Sequence, residues 1–359
     1  IAPLFIGLGV WRAAYGTANA FLSDGHHCGN AEHLLAGTLH AATTTNPDLP
    51  YCNYLLIFGC QVGFSGYYAY TTMAQRMAEA RTRGMRVVVV DPMMNTAAEK
   101  ADEWLPIRPG SDGALALAML NLLLNEYHIY DAPYLKAHTN APYLIGDDGL
   151  YVRDSAGKPL VWDAASATPR PFDDPVLKEP ALEGSYQVAG KRARPAFELL
   201  RESAREWTPE AAEKVTTIPA ATIRRIAKEF GEAARVGSTI VIEGKELPYR
   251  PASVIYFKGA HGHNNAWGTS LAIERLAEVV GASNVPGSLM GCNPVCYGHP
   301  ETGMPHYQPK ADRDGMIIPG LWFGMSQPGT TPPPFPPRQP RKPRFLNLID
   351  LVPWPMSTF

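Results

Sequence analysis

Cys28 is the residue with the clearest chemical potential in this 359-residue chain, and it lies in the loop His26-His27-Cys28-Gly29. A thiolate here could bind a soft metal ion, and a neighbouring imidazolium would lower the pKa of the thiol. The alternative is a small, partly buried hydrophobic residue, which is the commoner role of a single cysteine. The loop alone leaves both interpretations open.

Two aspartates follow strand-like segments. Asp91 ends the apolar run Val87-Val88-Val89-Val90, and Asp112 closes Pro109-Gly110-Ser111. A carboxylate after a buried parallel strand can accept hydrogen bonds from a ribose or a guanine base. Either aspartate alone could simply cap a turn or a helix, but the pair favours a nucleotide site. The Gly-x-Gly-x-x-Gly fingerprint is absent from the first turn, which argues against an ordinary NAD site.

A third stretch, Lys258 to Gly268, places a lysine, three glycines and two histidines behind an apolar run. Glycines let the backbone approach a cofactor closely, and Lys258 could neutralise a phosphate. Surface loops can share this composition, but the apolar helix predicted after it favours a second turn that faces a cofactor. Cys292 and Cys296 offer only two metal ligands and no Cys-x-x-Cys pair, so a structural role is favoured for both.

A parallel sheet would hold these stretches together. The apolar runs Tyr54–Phe58 and Val87–Val90 predict two buried strands, and an apolar stripe within Ala69–Arg83 predicts the helix between them. A helix apolar nearly all round is predicted over Ala114–Leu124, with Ser111 or Asp112 as its cap. The predicted fold class is α/β, with a parallel Rossmann-like sheet flanked by helices and a second α/β domain.

Composition shifts predict four segments. They are a Rossmann-like dinucleotide-binding domain at 1–145, a polar insertion at 146–195, a second α/β domain facing the cofactor at 196–327, and a Pro-rich arm with a truncated C-terminal segment at 328–359. Because Ile1 is not a start methionine, we expect an internal piece of a longer protein. The compartment, periplasmic or cytoplasmic, is therefore not predicted.

Charge and hydropathy exclude some classes of partner. A formal net charge of -2 gives no reason to expect a nucleic-acid partner, and no apolar run is long enough to span a membrane. Five scattered cysteines do not form a disulfide framework. We expect a soluble protein with a small-molecule substrate.

The order of short motifs resembles the molybdopterin oxidoreductases of the dimethyl sulfoxide reductase class, which bind two molybdopterin guanine dinucleotides around molybdenum or tungsten. The shared pieces, from the Cys28 loop to Val285-Pro286-Gly287, are Phe58-Gly59-Cys60, Val90-Asp91-Pro92, Pro109-Gly110-Ser111-Asp112, Tyr130-Asp131, Trp207-Thr208-Pro209-Glu210 and Gly262-His263-Asn264-Asn265. Each piece is short, but the ordered set is specific.

The resemblance implies a role for each candidate. Cys28 falls where the class places the amino-acid ligand of the metal, and Asp91 and Asp112 fall where it contacts guanosine. His27 and, with weaker support, His299 are candidate proton carriers. The remaining predicted cofactor-binding residues are Gly59, Cys60, Gln61, Gly63, Pro92, Gly110, Lys258, Gly259 and His263.

Departures from the class refine the prediction. An iron–sulfur cluster is expected only in the missing N-terminal region, and an iron–sulfur electron-transfer subunit is an expected partner. Cys296 stands where formate dehydrogenases have the arginine that meets the substrate carboxylate, so formate oxidation is disfavoured. We predict the central part of a catalytic subunit for two-electron or oxygen-atom transfer. The alternatives are a non-redox hydratase or hydroxytransferase on the same scaffold, and a binding module without chemistry.

Overall fold

The structure is a computed structural model and describes residues 30–40, 42, 44–62, 73–292 and 311–316. The helices in these ranges are α1 (Asn30–His40), α2 (Met73–Thr82), α3 (Thr96–Glu99), α4 (Asp112–Asn121), α5 (Ala132–His138), α6 (Ala196–Ala204), α7 (Pro209–Thr216), α8 (Ala220–Ala233), α9 (Lys258–His261) and α10 (Ala266–Val279). The strands are β1 (Thr44–Pro47), β2 (Tyr54–Phe58), β3 (Arg86–Val90), β4 (Glu103–Leu105), β5 (Leu144–Gly146), β6 (Leu160–Asp163), β7 (Thr168–Pro171), β8 (Tyr186–Val188), β9 (Lys191–Pro195), β10 (Thr239–Ile242), β11 (Lys245–Pro248), β12 (Ala252–Tyr256) and β13 (Leu289–Cys292).

A parallel sheet in the order β12-β2-β3-β4 forms the centre of the fold. Every residue of β2 and β12 is buried, because helices cover both faces of the sheet. The predicted strands at 54–58 and 87–90 are confirmed, as is the helix between them, which the described residues show over Met73–Thr82. The α/β class with a Rossmann-like parallel sheet is therefore confirmed.

Strand β12 comes from the segment that we assigned to a second α/β domain, yet it pairs with β2 in this same sheet, Val254 opposite Leu56. The chain between β4 and β12 contains the segment 144–195, whose strands form small antiparallel sheets around their own apolar cluster of Leu144, Leu160, Val188 and Ala193. The division into domains with those boundaries stays a prediction.

Helix α4 is buried on nearly all sides, as its composition predicts, and it packs against α10. The two backbones come close at Gly113, where an added Cβ would lie 2.9 Å from the Thr269 hydroxyl. Beyond Asn121 the helix continues as one π-helical turn, Leu122–Glu126, which the apolar pattern does not reveal. Among the described residues, no helix has the length and apolar character needed to cross a bilayer.

Candidate functional site

The turns that follow the four parallel strands all open at one side of the sheet, which we name the carboxyl edge: residues 59–62, 91–95, 106–112 and 257–263. Backbone hydrogen bonds hold these turns together. The Gly59 amide donates to Val90 at 3.0 Å, and the Gly259 amide donates to Gly59 at 3.0 Å. The carboxyl edge of a parallel sheet is the usual place for a nucleotide, and the structure brings most of the predicted cofactor residues to it.

Gly59 and Gly259 form the tightest contact of the carboxyl edge. Gly59 has a φ of +54°, and a Cβ on it would lie 2.2 Å from the Ala260 amide nitrogen. A Cβ on Gly259 would lie 2.3 Å from the Gly59 carbonyl oxygen. Neither position can carry a side chain, so two strand ends meet backbone against backbone.

The Asp91 carboxylate is half-buried and oriented by its own turn. Its Oδ1 accepts a hydrogen bond from the Met93 amide at 2.9 Å, and its Oδ2 accepts one from Asn95 Nδ2 at 2.7 Å. The Asn95 side-chain oxygen in turn caps α3 by accepting from Ala97 and Ala98. Each oxygen of Asp91 keeps an acceptor site free for a ligand, while Pro92 beside it is exposed.

Asp112 is the most unusual group at the carboxyl edge. Its side chain is 3% exposed, and Oδ1 has no hydrogen-bond partner among the described residues. Burial, together with the negative charge of Asp91, raises the pKa of Asp112 to about 7. Its place at the start of α4 offsets this only in part. Ser111 precedes the helix but does not cap it, because its hydroxyl donates to the Arg108 carbonyl at 2.6 Å.

His263 lies beside the turn that carries Gly110. A Cβ on Gly110, which has a φ of +76°, would be 4.0 Å from His263 Cδ2. His263 Nδ1 accepts from the Asn265 amide at 3.1 Å, so Nε2 carries the proton and donates to the Ala260 carbonyl at 3.1 Å. Lys258, predicted in a loop, is exposed at the start of the short helix α9.

Cys60 and Gln61 are neighbours in one turn, but they differ in solvent exposure. The Cys60 thiol is buried, and burial raises its pKa, aided by the charges of Asp91 and Glu32. Its thiol is therefore harder to ionise than that of an exposed cysteine. Gln61 is exposed.

Four predicted site residues, His27, Cys28, Gly63 and His299, lie outside the described residues. Helix α1 begins at Asn30, directly after the Cys28 loop. Within the described ranges, no group of three or more His, Cys, Asp or Glu side chains is placed to hold a metal ion. The roles of these four residues stay predictions.

A buried polar cluster next to the carboxyl edge was missed by the sequence analysis. Glu32 is fully buried on α1 and pairs with His33 at 2.8 Å. His261 is 5% exposed, its Nε2 has no hydrogen-bond partner among the described residues, and burial lowers its pKa to about 4. In the sequence, the feature that could have indicated this cluster is the pair Glu32-His33 within an otherwise largely apolar helical segment.

Three cavities in the described part of the chain lie away from this edge. One of about 560 Å³ lies between α1, α5 and α10, and its walls include Leu35, Tyr134 and Trp267. We place the candidate site by its chemistry, because glycine contacts and an unpaired carboxyl group indicate a ligand more directly than volume does.

The sequence is similar to those of known proteins. The family model described as molybdopterin oxidoreductase matches residues 13–320. A sulfite dehydrogenase subunit from Allochromatium vinosum is 28% identical over 88% of this chain and 35% of the sulfite dehydrogenase chain. The alpha subunit of perchlorate reductase from Dechloromonas aromatica is 31% identical over 45% of this chain and 22% of the reductase chain.

A solved structure, acetylene hydratase from Pelobacter acetylenicus, superimposes with a TM-score of 0.48 at 20% identity, covering 77% of this chain and 27% of the hydratase. The chain thus spans about a third or less of the length of these relatives. Since the family model matches well over half of the sequence, the chain belongs to the molybdopterin oxidoreductase family.

Proposed function

We propose that this chain is the central part of the catalytic subunit of a molybdenum or tungsten bis-pterin oxidoreductase that transfers two electrons or an oxygen atom. Membership of the family supports a molybdenum- or tungsten-pterin cofactor. The observation that carries the proposal is the buried Asp112 carboxyl group at the carboxyl edge, whose Oδ1 has no hydrogen-bond partner among the described residues. A buried polar atom without a partner is costly unless a ligand satisfies it.

The two carboxyl groups fit a guanine base, which supports the guanine dinucleotide form of the cofactor. The Watson–Crick edge of guanine carries N–H donors next to the O6 acceptor. Asp91 offers acceptor sites on both oxygens. Asp112, protonated up to about pH 7, offers a hydroxyl donor and an acceptor. The pair can therefore match both donors and an acceptor of the base.

The other predicted residues line the rest of the same surface. Lys258 is exposed and free to neutralise a phosphate. The remaining lining positions proposed on sequence are Cys60, Gln61, Gly63, Pro92, Gly110, Gly259 and His263. The surface binds and orients a ligand through the Asp91, Asp112 and Lys258 side chains and through the backbone of its glycine turns.

The metal, when bound, supplies the two-electron change of oxidation state. Cys28 is the proposed protein ligand, and a thiolate suits this metal class. Oxygen transfer to or from water releases or takes up two protons for each electron pair, and His27 and His299 are the proposed proton carriers. The Asn95 side chain and the Gly59–Gly259 contact keep the surface rigid.

The relatives suggest the class of substrate and partner. The names of two similar proteins state that they act on sulfite and on perchlorate. We propose a small oxyanion or another oxo compound as substrate. The proposed electron partner is an iron–sulfur subunit, with an iron–sulfur cluster N-terminal to this chain. Formate stays disfavoured, because Cys296 replaces the arginine expected in formate dehydrogenases.

The test is metal and pterin analysis of the complete protein after anaerobic purification. We expect molybdenum or tungsten together with pterin, and we expect Cys28→Ala to remove one sulfur from the metal coordination seen by X-ray absorption. Cys52→Ala, which removes a buried thiol elsewhere, is the matched control. Absence of both metals would contradict the proposal, and turnover without any electron acceptor would identify a non-redox enzyme instead.

A further inference from the structure

We infer that the cavity between α1, α5 and α10 is a second binding site, which takes an aromatic amino acid in its zwitterionic form. The inference does not depend on the proposed function. The cavity has a volume of about 560 Å³, which is within the range that small ligands occupy. A smaller cavity of about 290 Å³ shares part of its lining, namely Thr139, Asn140, Leu271, Arg275 and Glu278. We name the two cavities together the α10 cleft.

Aromatic side chains form much of the wall of the larger cavity. Tyr134 lies on α5, Trp267 lies in the first turn of α10, and Tyr143 and Phe172 come from the chain between α5 and α6. The rings of Tyr143 and Phe172 are 5.3 Å apart. Trp267 is 43% exposed, whereas a tryptophan is highly buried in most folded proteins. Aromatic walls hold a further ring by stacking and edge-to-face contacts, so they favour an aromatic ligand.

A charged pair on α10 lines both cavities. The Glu278 side chain is 9% exposed and that of Arg275 is 30% exposed. Arg275 Nη1 lies 3.1 Å from Glu278 Oε2, yet Oε2 accepts no hydrogen bond from any described residue. A guanidinium has five N–H donors, more than one carboxylate oxygen can use. The pair therefore keeps an acceptor on Glu278 and donors on Arg275 for a ligand.

The negative charge of Glu278 prevails at the neighbouring aromatic wall. Burial and, next in size, the charge of Glu278 raise the pKa of Tyr134 to about 12, while the opposing effect of Arg275 is smaller. Tyr134 is therefore a neutral phenol, and its ring remains available to a ligand. A positively charged group that enters the α10 cleft beside Tyr134 is attracted to Glu278.

These features select a ligand with three groups. An α-amino acid carries its ammonium and its carboxylate on the same carbon, so the two charges can meet Glu278 and Arg275, which lie side by side. Charge-assisted hydrogen bonds of this kind are about twice as strong as neutral ones. An amine alone would leave the Arg275 donors unused, and a carboxylate alone would lie beside the like charge of Glu278. The aromatic wall then favours a ring as the third group.

The outer wall of the α10 cleft is held in place by its own contacts. Gly315 and Met316 line it, and Asp314 precedes them. Arg153 Nη1 and Nη2 donate to the two carboxylate oxygens of Asp314 at 2.5 Å and 2.7 Å, and the Tyr143 hydroxyl donates to the Asp314 carbonyl at 2.8 Å. Because Tyr143 itself lines the cavity, the same contacts fix its ring. A preformed wall lowers the entropic cost of binding.

The experiment is isothermal titration calorimetry of the complete, cofactor-loaded protein with four probes. L-phenylalanine carries all three groups, whereas phenethylamine lacks the carboxylate, hydrocinnamate lacks the ammonium and L-alanine lacks the ring. We expect saturable binding of L-phenylalanine. Each of the other probes should bind about 10- to 100-fold more weakly, because it loses either a charge-assisted hydrogen bond or the burial of the ring.

Two variants assign the polar contacts. Glu278→Gln should weaken the binding of L-phenylalanine and of phenethylamine about 10- to 100-fold, and it should not weaken that of hydrocinnamate. Arg275→Gln should weaken the binding of L-phenylalanine and of hydrocinnamate, and it should not weaken that of phenethylamine. Glu202→Gln, which changes an exposed side chain of α6, is the matched control.

A third variant carries the test if Glu278→Gln does not fold. Ala137 lines the larger cavity from an exposed position on α5, so Ala137→Phe places a ring in the α10 cleft without removing a buried contact. Ala221→Phe makes the same change at an exposed position of α8, outside the cleft. We expect Ala137→Phe to abolish the binding of L-phenylalanine and Ala221→Phe to leave it unchanged.

Three results would overturn the inference. One is the lack of saturable binding of L-phenylalanine to the wild type. Another is a wild-type affinity for any of the other three probes that equals the affinity for L-phenylalanine. The last is an unchanged affinity for L-phenylalanine in Ala137→Phe, or in folded Glu278→Gln and Arg275→Gln.

Discussion

The two ends of the central sheet differ in whether their charged side chains are paired. At the amino-terminal end, Arg86 pairs with Glu103 at 2.6 Å and with Glu229 at 3.1 Å. Arg225 of α8 pairs with the same two carboxylates, at 2.5 Å and 2.8 Å. Each of these charges has a partner. At the carboxyl edge, Asp112 is buried and its Oδ1 has no hydrogen-bond partner in the described part of the chain, while Gly59 occupies a left-handed backbone conformation.

From this difference we infer that one end of the sheet mainly stabilises the fold and the other end mainly binds a ligand. The amino-terminal end holds strands and helices together with satisfied ion pairs at a half-exposed surface. The carboxyl edge retains features that cost free energy in the protein alone, and such features concentrate where a ligand binds. Changing each end in turn tests this contrast.

The largest effect is expected from Gly59→Ala. The new Cβ would lie 2.2 Å from the Ala260 amide nitrogen at a φ of +54°, so the turn must open. We expect a loss of stability on the order of 2–4 kcal/mol and nearly complete loss of bound pterin. Chemical denaturation and pterin fluorescence measure the two effects.

Gly84→Ala is the matched control, because Gly84 also has a positive φ, of +95°, but has nothing within 4 Å of the added Cβ. It should cost about 1 kcal/mol and leave the pterin content unchanged. Equal pterin loss in both variants would show that backbone strain, and not the contact between Gly59 and Gly259, causes the effect.

The second prediction concerns Asp112→Asn and pH. Because the folded pKa is raised from 3.8 to about 7, the folded protein holds a proton that the unfolded chain releases. The free energy of unfolding of the cofactor-free protein should therefore fall by roughly 4 kcal/mol as the pH rises from about 4 to 7, with no further change above that from this group.

Asp112→Asn cannot ionise, so it should remove this pH dependence and raise the stability of the cofactor-free protein at pH 8. In the loaded protein it should keep most of the nucleotide, because its amide offers the same donor and acceptor as a protonated carboxyl group. Asp112→Leu, which offers neither, should lower the nucleotide content. Urea denaturation at several pH values is the measurement, with the exposed Asp173→Asn as control. A pH profile identical to that of the wild type would refute the assigned protonation of Asp112.

A smaller effect is expected from Asn95→Ala. It removes the cap of α3 and the hydrogen bond to Asp91, at a cost of about 1 kcal/mol. Thr208→Ala removes a comparable cap on α7, far along the chain from the candidate site. Both should lower the melting temperature alike, while only Asn95→Ala should weaken nucleotide retention during gel filtration. Equal retention would exclude a positioning role for Asn95.

The smallest effect is expected at the amino-terminal end. Arg225→Gln removes two partly exposed ion pairs, and such pairs contribute about 1 kcal/mol or less and weaken in salt. We expect a small, salt-sensitive loss of stability and unchanged metal and pterin content. Loss of cofactor in this variant would contradict the claim that the amino-terminal end contributes to stability and not to cofactor binding.

The sequence predicts the parts of this site that depend on local pattern. Continuous apolar runs predict β2 and β3, and the residues that follow them, Gly59 and Asp91, are found where parallel strands must place them. The place of Asp112 at the same edge also follows from the order of the elements, although its unpaired state does not.

What the sequence does not predict depends on contacts between distant segments. Pairing of β12 with β2 joins residues about two hundred positions apart, and no periodicity encodes such a register. The burial of Glu32 and the contact between His40 and Glu274 likewise require β1 and α10 to be in place. The backbone contact between Gly59 and Gly259 arises in the same way.

The central claim is that the carboxyl edge anchors a guanine nucleotide through Asp112, and nucleotide analysis of the complete, anaerobically purified protein tests it most directly. Acid hydrolysis should release guanine nucleotide in an amount equal to the pterin from the wild type and Arg225→Gln, and clearly less from Asp112→Leu. Pterin without guanine nucleotide in the wild type, or undiminished nucleotide in Asp112→Leu, would contradict the claim.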